Sequence, residues 1–110
     1  MVRQELMLPK KIMEAIEVFA SLADVHRQQI VGLVGRNGPM CVGDIARNFL
    51  MSRPAVSHHL KVLKRAGLLT AHRQGKEIHY EFNRERTVQV LRWMADAVEQ
   101  QMEVRQTQAK

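Results

Sequence analysis

A chain of 110 residues that is 45% hydrophobic and 25% charged has the composition of one folded domain, which excludes a disordered or fibrous polypeptide. Aromatic residues make up only 5%, so a core must come from Leu, Val, Ile, Met and Ala, a mix that favours helices. The formal charge is +6; Lys10, Lys11, Glu14 and Glu17 interrupt the first 25 residues and exclude a signal peptide or a membrane span, predicting a cytoplasmic chain, while a lone cysteine, Cys41, excludes an internal disulfide.

In chain order, Leu8, Ile12, Ala15, Phe19 and Leu22 recur at steps of four and three, which predicts an amphipathic helix over residues 9–22. Asp24 is placed to cap a second helix carrying Val25, Ile30, Leu33 and Val34, and Asn37-Gly38-Pro39 ends it. A short third helix sets Val42, Ile45, Ala46 and Phe49 on one side and stops near Leu50. Ser52 opens the fourth, because Arg53 and Pro54 then fall in the first turn, where a missing proline N–H costs nothing; Ala66 and Gly67 close it. The period then changes to two. Leu69, Ala71 and Arg73 oppose Ile78, Tyr80 and Phe82 across a turn at Gln74-Gly75-Lys76, a hairpin with a basic tip. A last helix over residues 84–104 is striped by Val88, Leu91, Ala95, Val98 and Met102. The fold class is therefore mainly α with a small β-hairpin, in the order ααααββα, as a single domain over residues 1–110.

Charge locates the working surface. Between residues 45 and 76 lie Arg47, Arg53, Lys61, Lys64, Arg65, Arg73 and Lys76 with no Asp or Glu, which leaves ten basic against eleven acidic residues elsewhere. A localised cationic block in a folded segment points to a polyanionic partner. At about 100° per residue, Val56, Leu60 and Leu63 of the fourth helix share one face, with His59 and Gly67 at its edges, whereas Arg53, Pro54, Ser57, His58, Lys61 and Arg65 take the other side. Two helices joined by a short turn and followed by a basic hairpin form a winged helix-turn-helix over residues 42–82. Its second helix fits the major groove of double-stranded DNA, where helix N-terminal residues reach the base edges. Ser52, Arg53, Pro54, Ser57 and His58 open that helix; Arg53, Ser57 and His58 are the candidate base readers. Lys61, Lys64 and Arg65 meet phosphates, and Arg73, Gln74, Gly75 and Lys76 grip the flanking backbone or minor groove. His59 is expected to be partly buried and hydrogen-bonded, and His26 to stand isolated from other metal-ligating residues on an exposed helix face.

The runs SLADVHRQQIVGLV and VGDIARNFLMSRPAVSHHLKVLKRAGLLTAHRQGKEIHYEF resemble the ArsR/SmtB family of winged-helix repressors, over residues 19–93. GDIA, the SHHL step and the Trp93-Met94 pair are most similar to its SdpR-type autorepressor branch. The resemblance implies a homodimer that sits on an operator and blocks transcription, joined through the first and last helices. The apolar stripes agree with it: Leu8, Ile12, Ala15 and Phe19, with Val88, Leu91, Ala95, Val98 and Met102, exceed what one small core needs. A two-fold dimer implies a pseudo-palindromic operator.

Many members of that family are released from DNA by metals, and the sequence departs from both common sensing patterns. Where a pair of thiolates would bracket a valine, it reads Cys41-Val42-Gly43; the last helix offers Asp96, Glu99 and Glu103 but no histidine. No metal site and no cofactor is expected, Cys41 reads as a small buried or capping residue, and a small-molecule effector is not identifiable. No phosphate loop or nucleophile–base pairing supports an enzyme. The rival reading is a winged-helix protein-interaction module, against which the acid-free basic stretch argues, with a metal- or thiol-responsive repressor as a further alternative.

Overall fold

The computed structural model describes the backbone of residues 9–108 and the side chains of residues 9–100. Leu8 and the side chain of Met102, both expected in the apolar stripes, lie outside the described residues. The elements are α1 (Lys10–Ser21), α2 (Val25–Asn37), β1 (Met40–Cys41), α3 (Val42–Ala46), α4 (Arg53–Arg65), β2 (Leu69–Gln74), β3 (Glu77–Phe82) and α5 (Arg84–Gln108). This is the expected mainly helical fold, with one addition. β1 pairs antiparallel with β3, Met40 opposite Tyr80 and Cys41 opposite His79, so the hairpin becomes a three-stranded sheet ordered β1-β3-β2. Two residues are too few for a period, which is why the sequence hid the strand.

The caps fall where the side chains dictate. Asp24 Oδ1 accepts the backbone N–H groups of His26 and Arg27 at 2.8 and 3.2 Å and starts α2. Ser52 Oγ accepts Ala55 N–H at 3.2 Å and starts α4, with Pro54 in the first turn. α4 ends in a Schellman arrangement: Leu68 N–H donates to Leu63 C=O and Gly67 N–H to Lys64 C=O, with Gly67 at φ +85°. Asn83 starts α5, its side-chain oxygen taking Arg86 N–H. α3 is shorter than expected. After Ala46 the bonds tighten, Asn48 N–H to Ile45 and Phe49 N–H to Ala46, and the Asn48 amide donates to Asp44 C=O, so the chain turns before Leu50.

The core gathers Ala15 and Val18 of α1, Ile30 and Val34 of α2, Ile45 of α3, Val56, Leu60 and Leu63 of α4, then Leu68, Leu69, Tyr80 and Val90. Each buried Leu, Ile or Val contributes about 1.5–3 kcal/mol, so the three buried residues of α4 fix which way that helix faces. Within the hairpin Tyr80 and Phe82 pack against the core, while Ile78 lies nearer the tip and is exposed. No helix among the described residues is long and apolar enough to cross a membrane.

The stripes need correction. Ala15 is sealed inside this chain's own core and cannot meet a partner; the exposed large apolar residues of α1 are Met13, Ile16 and Phe19, with Ile12 half-buried. α5 turns Thr87 and Val90 inward and packs Met94 against the core, leaving Val88, Leu91 and Val98 at 41%, 45% and 54% exposure and Ala95 exposed beside them. α1 is tied to α5 by Glu14 Oε2 accepting from Arg86 Nη2 at 2.7 Å, and the Lys11 ammonium lies over the Trp93 ring. That Arg86 hydrogen bond holds the Glu14 carboxyl below its usual range against a smaller opposing effect of burial.

Candidate nucleic-acid interface

With Val56, Leu60 and Leu63 in the core, α4 presents Arg53, Pro54, His58, Lys61, Lys64 and Arg65 to solvent. Ser57, grouped with that free side by spacing, is half-buried on its flank. Ser52 is exposed, though its hydroxyl is engaged in the cap. The hairpin turns in two residues: Gln74 pairs with Glu77, and Gly75 takes φ +63° at the first central position, as a type II′ turn requires. Arg73, Gln74, Gly75 and Lys76 are all exposed there.

The fold brings helix and wing into one surface. A groove of about 410 Å³ runs between the N-terminus of α3, the N-terminus of α4 and the wing tip, lined by Arg47, Arg53 and Lys76 with Asp44, Glu77 and Cys41. A second depression sets Lys64 beside His72 and Arg73 of the wing. Arg65 turns the opposite way, into a depression shared with Glu17 and Arg27. Among the described residues none of Arg53, Lys61, Lys64, Arg65, Arg73 and Lys76 is paired with a carboxylate within 4.0 Å, so their charge is available to a polyanion. Arg47 is the residue that helix-by-helix reasoning passed over. It belongs to the acid-free basic run, but only the fold shows that α3 delivers it to the groove holding Arg53 and Lys76, where Asp44 Oδ1 lies 3.1 Å from its guanidinium.

The histidines divide. His58 is exposed beside Lys61. His59 is half-buried, and its Nδ1 lies 3.2 Å from Arg27 Nη1, whose Nε donates to Ser21 C=O; burial holds its imidazole below the usual histidine range, with Asp24 opposing. His26 is exposed as expected but not isolated: its ring centroid is 5.8 Å from that of His59 and its Nδ1 is 3.7 Å from Asp24 Oδ1. On the wing, His72 and His79 stack across the strand pair at 6.2 Å.

Cys41 is buried, at the N-cap position of α3, and its side chain makes no capping bond. Gly43 holds the position where a second thiol would stand, and an added Cβ there would meet the Arg53 guanidinium at 4.0 Å. These residues do not fit a thiophilic metal site of the two-cysteine kind.

Known proteins agree with this geometry. The profile described as "Bacterial regulatory protein, arsR family" matches residues 24–71. The chain is 37% identical over 81 residues to the transcriptional repressor SdpR of Bacillus subtilis, covering 74% of this chain and 89% of that one. Among solved structures it is similar to an ArsR-like transcriptional regulator from Rhodococcus sp. RHA1, with a TM-score of 0.77 and 26% identity over 88% of this chain and 90% of that one. It also resembles the homodimeric winged helix-turn-helix DNA-binding domain of a possible ArsR-family transcriptional regulator from Mycobacterium bovis, with a TM-score of 0.66 and 25% identity over 90% and 91%.

Proposed function

The chain belongs to the arsR family of bacterial regulatory proteins, and from its surface we propose that it is a homodimeric transcriptional repressor that reads a pseudo-palindromic operator in duplex DNA. The observation that carries the reading is the set of exposed cations on α4 and the wing tip, Arg53, Lys61, Lys64, Arg73 and Lys76, none of which has a carboxylate partner among the described residues. α4 enters the major groove. Arg53 at its N-terminus reads a guanine O6/N7 pair, with Ser57 and His58 as further base contacts, while Lys61 and Lys64 bind phosphates and Arg65, turned the other way, is left out of the contact set. The wing adds Arg73, Gln74 and Lys76, and Arg47 joins Lys76 in holding the backbone that crosses the groove they line with Arg53. The exposed rows Met13, Ile16, Phe19 and Val88, Leu91, Val98 supply the two-fold interface; the Mycobacterium bovis domain of similar fold is homodimeric, which supports a two-fold assembly. No enzymatic activity is assigned.

Titrating the protein against duplexes selected from its own genome, by fluorescence anisotropy at a series of salt concentrations, tests this. The logarithm of affinity should fall linearly with the logarithm of salt, with a slope of about −0.9 per phosphate neutralised. A salt-insensitive complex would overturn the phosphate contacts, and failure to recover any preferred sequence would overturn the operator.

A further inference from the structure

Among the described residues, one cluster of metal-ligating side chains stands apart from the DNA-facing surface, at the junction of α2 and α4. Asp24, His26 and His59 each bring one donor atom to within 4.8 Å of the others. We propose that these three residues form a binding site for a divalent transition metal of the zinc class, in competition with Arg27.

The donor set selects the ion. Two imidazole nitrogens and a carboxylate oxygen suit Zn(II), Co(II) or Ni(II); Mg(II) and Ca(II) prefer oxygen alone, and thiophilic species need the sulfurs this cluster lacks. Three protein ligands with a fourth position left to water is a common zinc arrangement. Bonds of about 2.0–2.2 Å at tetrahedral angles place donor atoms about 3.3 Å apart, so the cluster must contract by roughly 1.5 Å at its widest. The side chains allow it. His26 and Asp24 keep 49% and 34% of their side-chain surface exposed, and the cap uses only Asp24 Oδ1, leaving Oδ2 without a hydrogen bond among the described residues.

Arg27 decides how the site behaves. In the free protein its Nη1 lies 3.2 Å from His59 Nδ1, a contact that requires Nδ1 to be the unprotonated, accepting nitrogen. A metal on Nδ1 displaces the guanidinium directly. A metal on Nε2 moves the ring proton to Nδ1, which then has no lone pair to offer Arg27. Both routes break the Arg27–His59 hydrogen bond, so metal and guanidinium exclude one another as the link between α2 and α4. Arg27 keeps its second anchor, Ser21 C=O at 2.6 Å, in either state.

Titration of the chelator-treated, full-length chain with Co(II), followed by its visible ligand-field bands and by competition with Zn(II), tests the site. One equivalent per chain is expected. His26→Ala, at an exposed position outside the DNA-facing set, should weaken binding by at least about tenfold, the loss that removing even an outer-shell partner of a metal site produces. Asp24→Asn should weaken it too while preserving the helix cap, since asparagine caps as well as aspartate. Arg27→Gln should tighten it by removing the competitor. His79→Ala on the wing, with unchanged circular dichroism, should leave it alone. Absence of ligand-field bands, equal affinity in His26→Ala, or loss in His79→Ala would overturn the site; weaker binding in Arg27→Gln would overturn the competition.

Discussion

Arg53 and Lys64 sit eleven residues apart on one helix, yet the groove each faces separates their roles. Arg53 stands at the helix N-terminus between α3 and the wing tip, whereas Lys64 lies in the last turn of the helix beside Arg73. Arg53→Ala should cost about 1–3 kcal/mol on the operator and relax preference at one base pair, while Lys64→Ala should weaken all duplexes alike and flatten the salt slope by about 0.9. Competition titrations against operator and scrambled DNA check both; equal losses for Arg53→Ala on the two would remove it from base reading. Gly67 is a residue of another kind. Its φ of +85° is a conformation that costs L side chains about 1–2 kcal/mol, and an added Cβ would make only ordinary contact with Arg86 at 3.7 Å, so Gly67→Ala should destabilise by that backbone cost alone in urea denaturation. At this scale the sequence was most legible where a side chain acts on its own neighbours: Asp24, Ser52, Gly67 and Gly75 declare caps and turns within a few residues. It was least legible where the partner is remote. The Glu14–Arg86 bond spans 72 positions and the Arg27–His59 contact 32, and nothing local marks either.

Elements follow the same rule. α2 and α4 were readable because a periodic apolar face and a cap agree, and α5 from its stripe alone, but β1 exists only because β3 offers an edge for Met40 and Cys41, and α3 ends early because Asn48 bonds back to Asp44. The pairing of α1 with α5 carries a pH dependence of known sign. Glu14 is held below its ordinary carboxyl value chiefly by the Arg86 hydrogen bond, so its contribution is fully present above the unfolded carboxylate range and is lost as pH falls through the lowered folded value. Wild type should therefore melt above Glu14→Gln at neutral pH, with the two converging as the solution is acidified below the carboxylate range. Thermal melts at a series of pH values would show it, and a gap that persists in acid would remove the Arg86 bond as its source.

For the whole molecule the question is which apolar surface remains once the core is closed. The helical stripes were legible as stripes, but their division between core and surface was not, because α1 and α5 each carry apolar residues on more than one side: Ala15 and Val90 close the fold, while Phe19 and Leu91 remain outside. That division makes the assembly testable without unfolding the subunit. Leu91 is 45% exposed and does not belong to the buried core, so Leu91→Glu leaves the core closed, yet it sets a charge into the row that a two-fold partner would cover. Sedimentation should show the variant as a monomer with an unchanged helical spectrum. Its affinity for the full operator should fall towards that of wild type for a single half-site, because one reading helix then binds without the other. A dimeric Leu91→Glu would move the interface off α5, and a monomer that kept full operator affinity would break the link between two-fold symmetry and DNA reading.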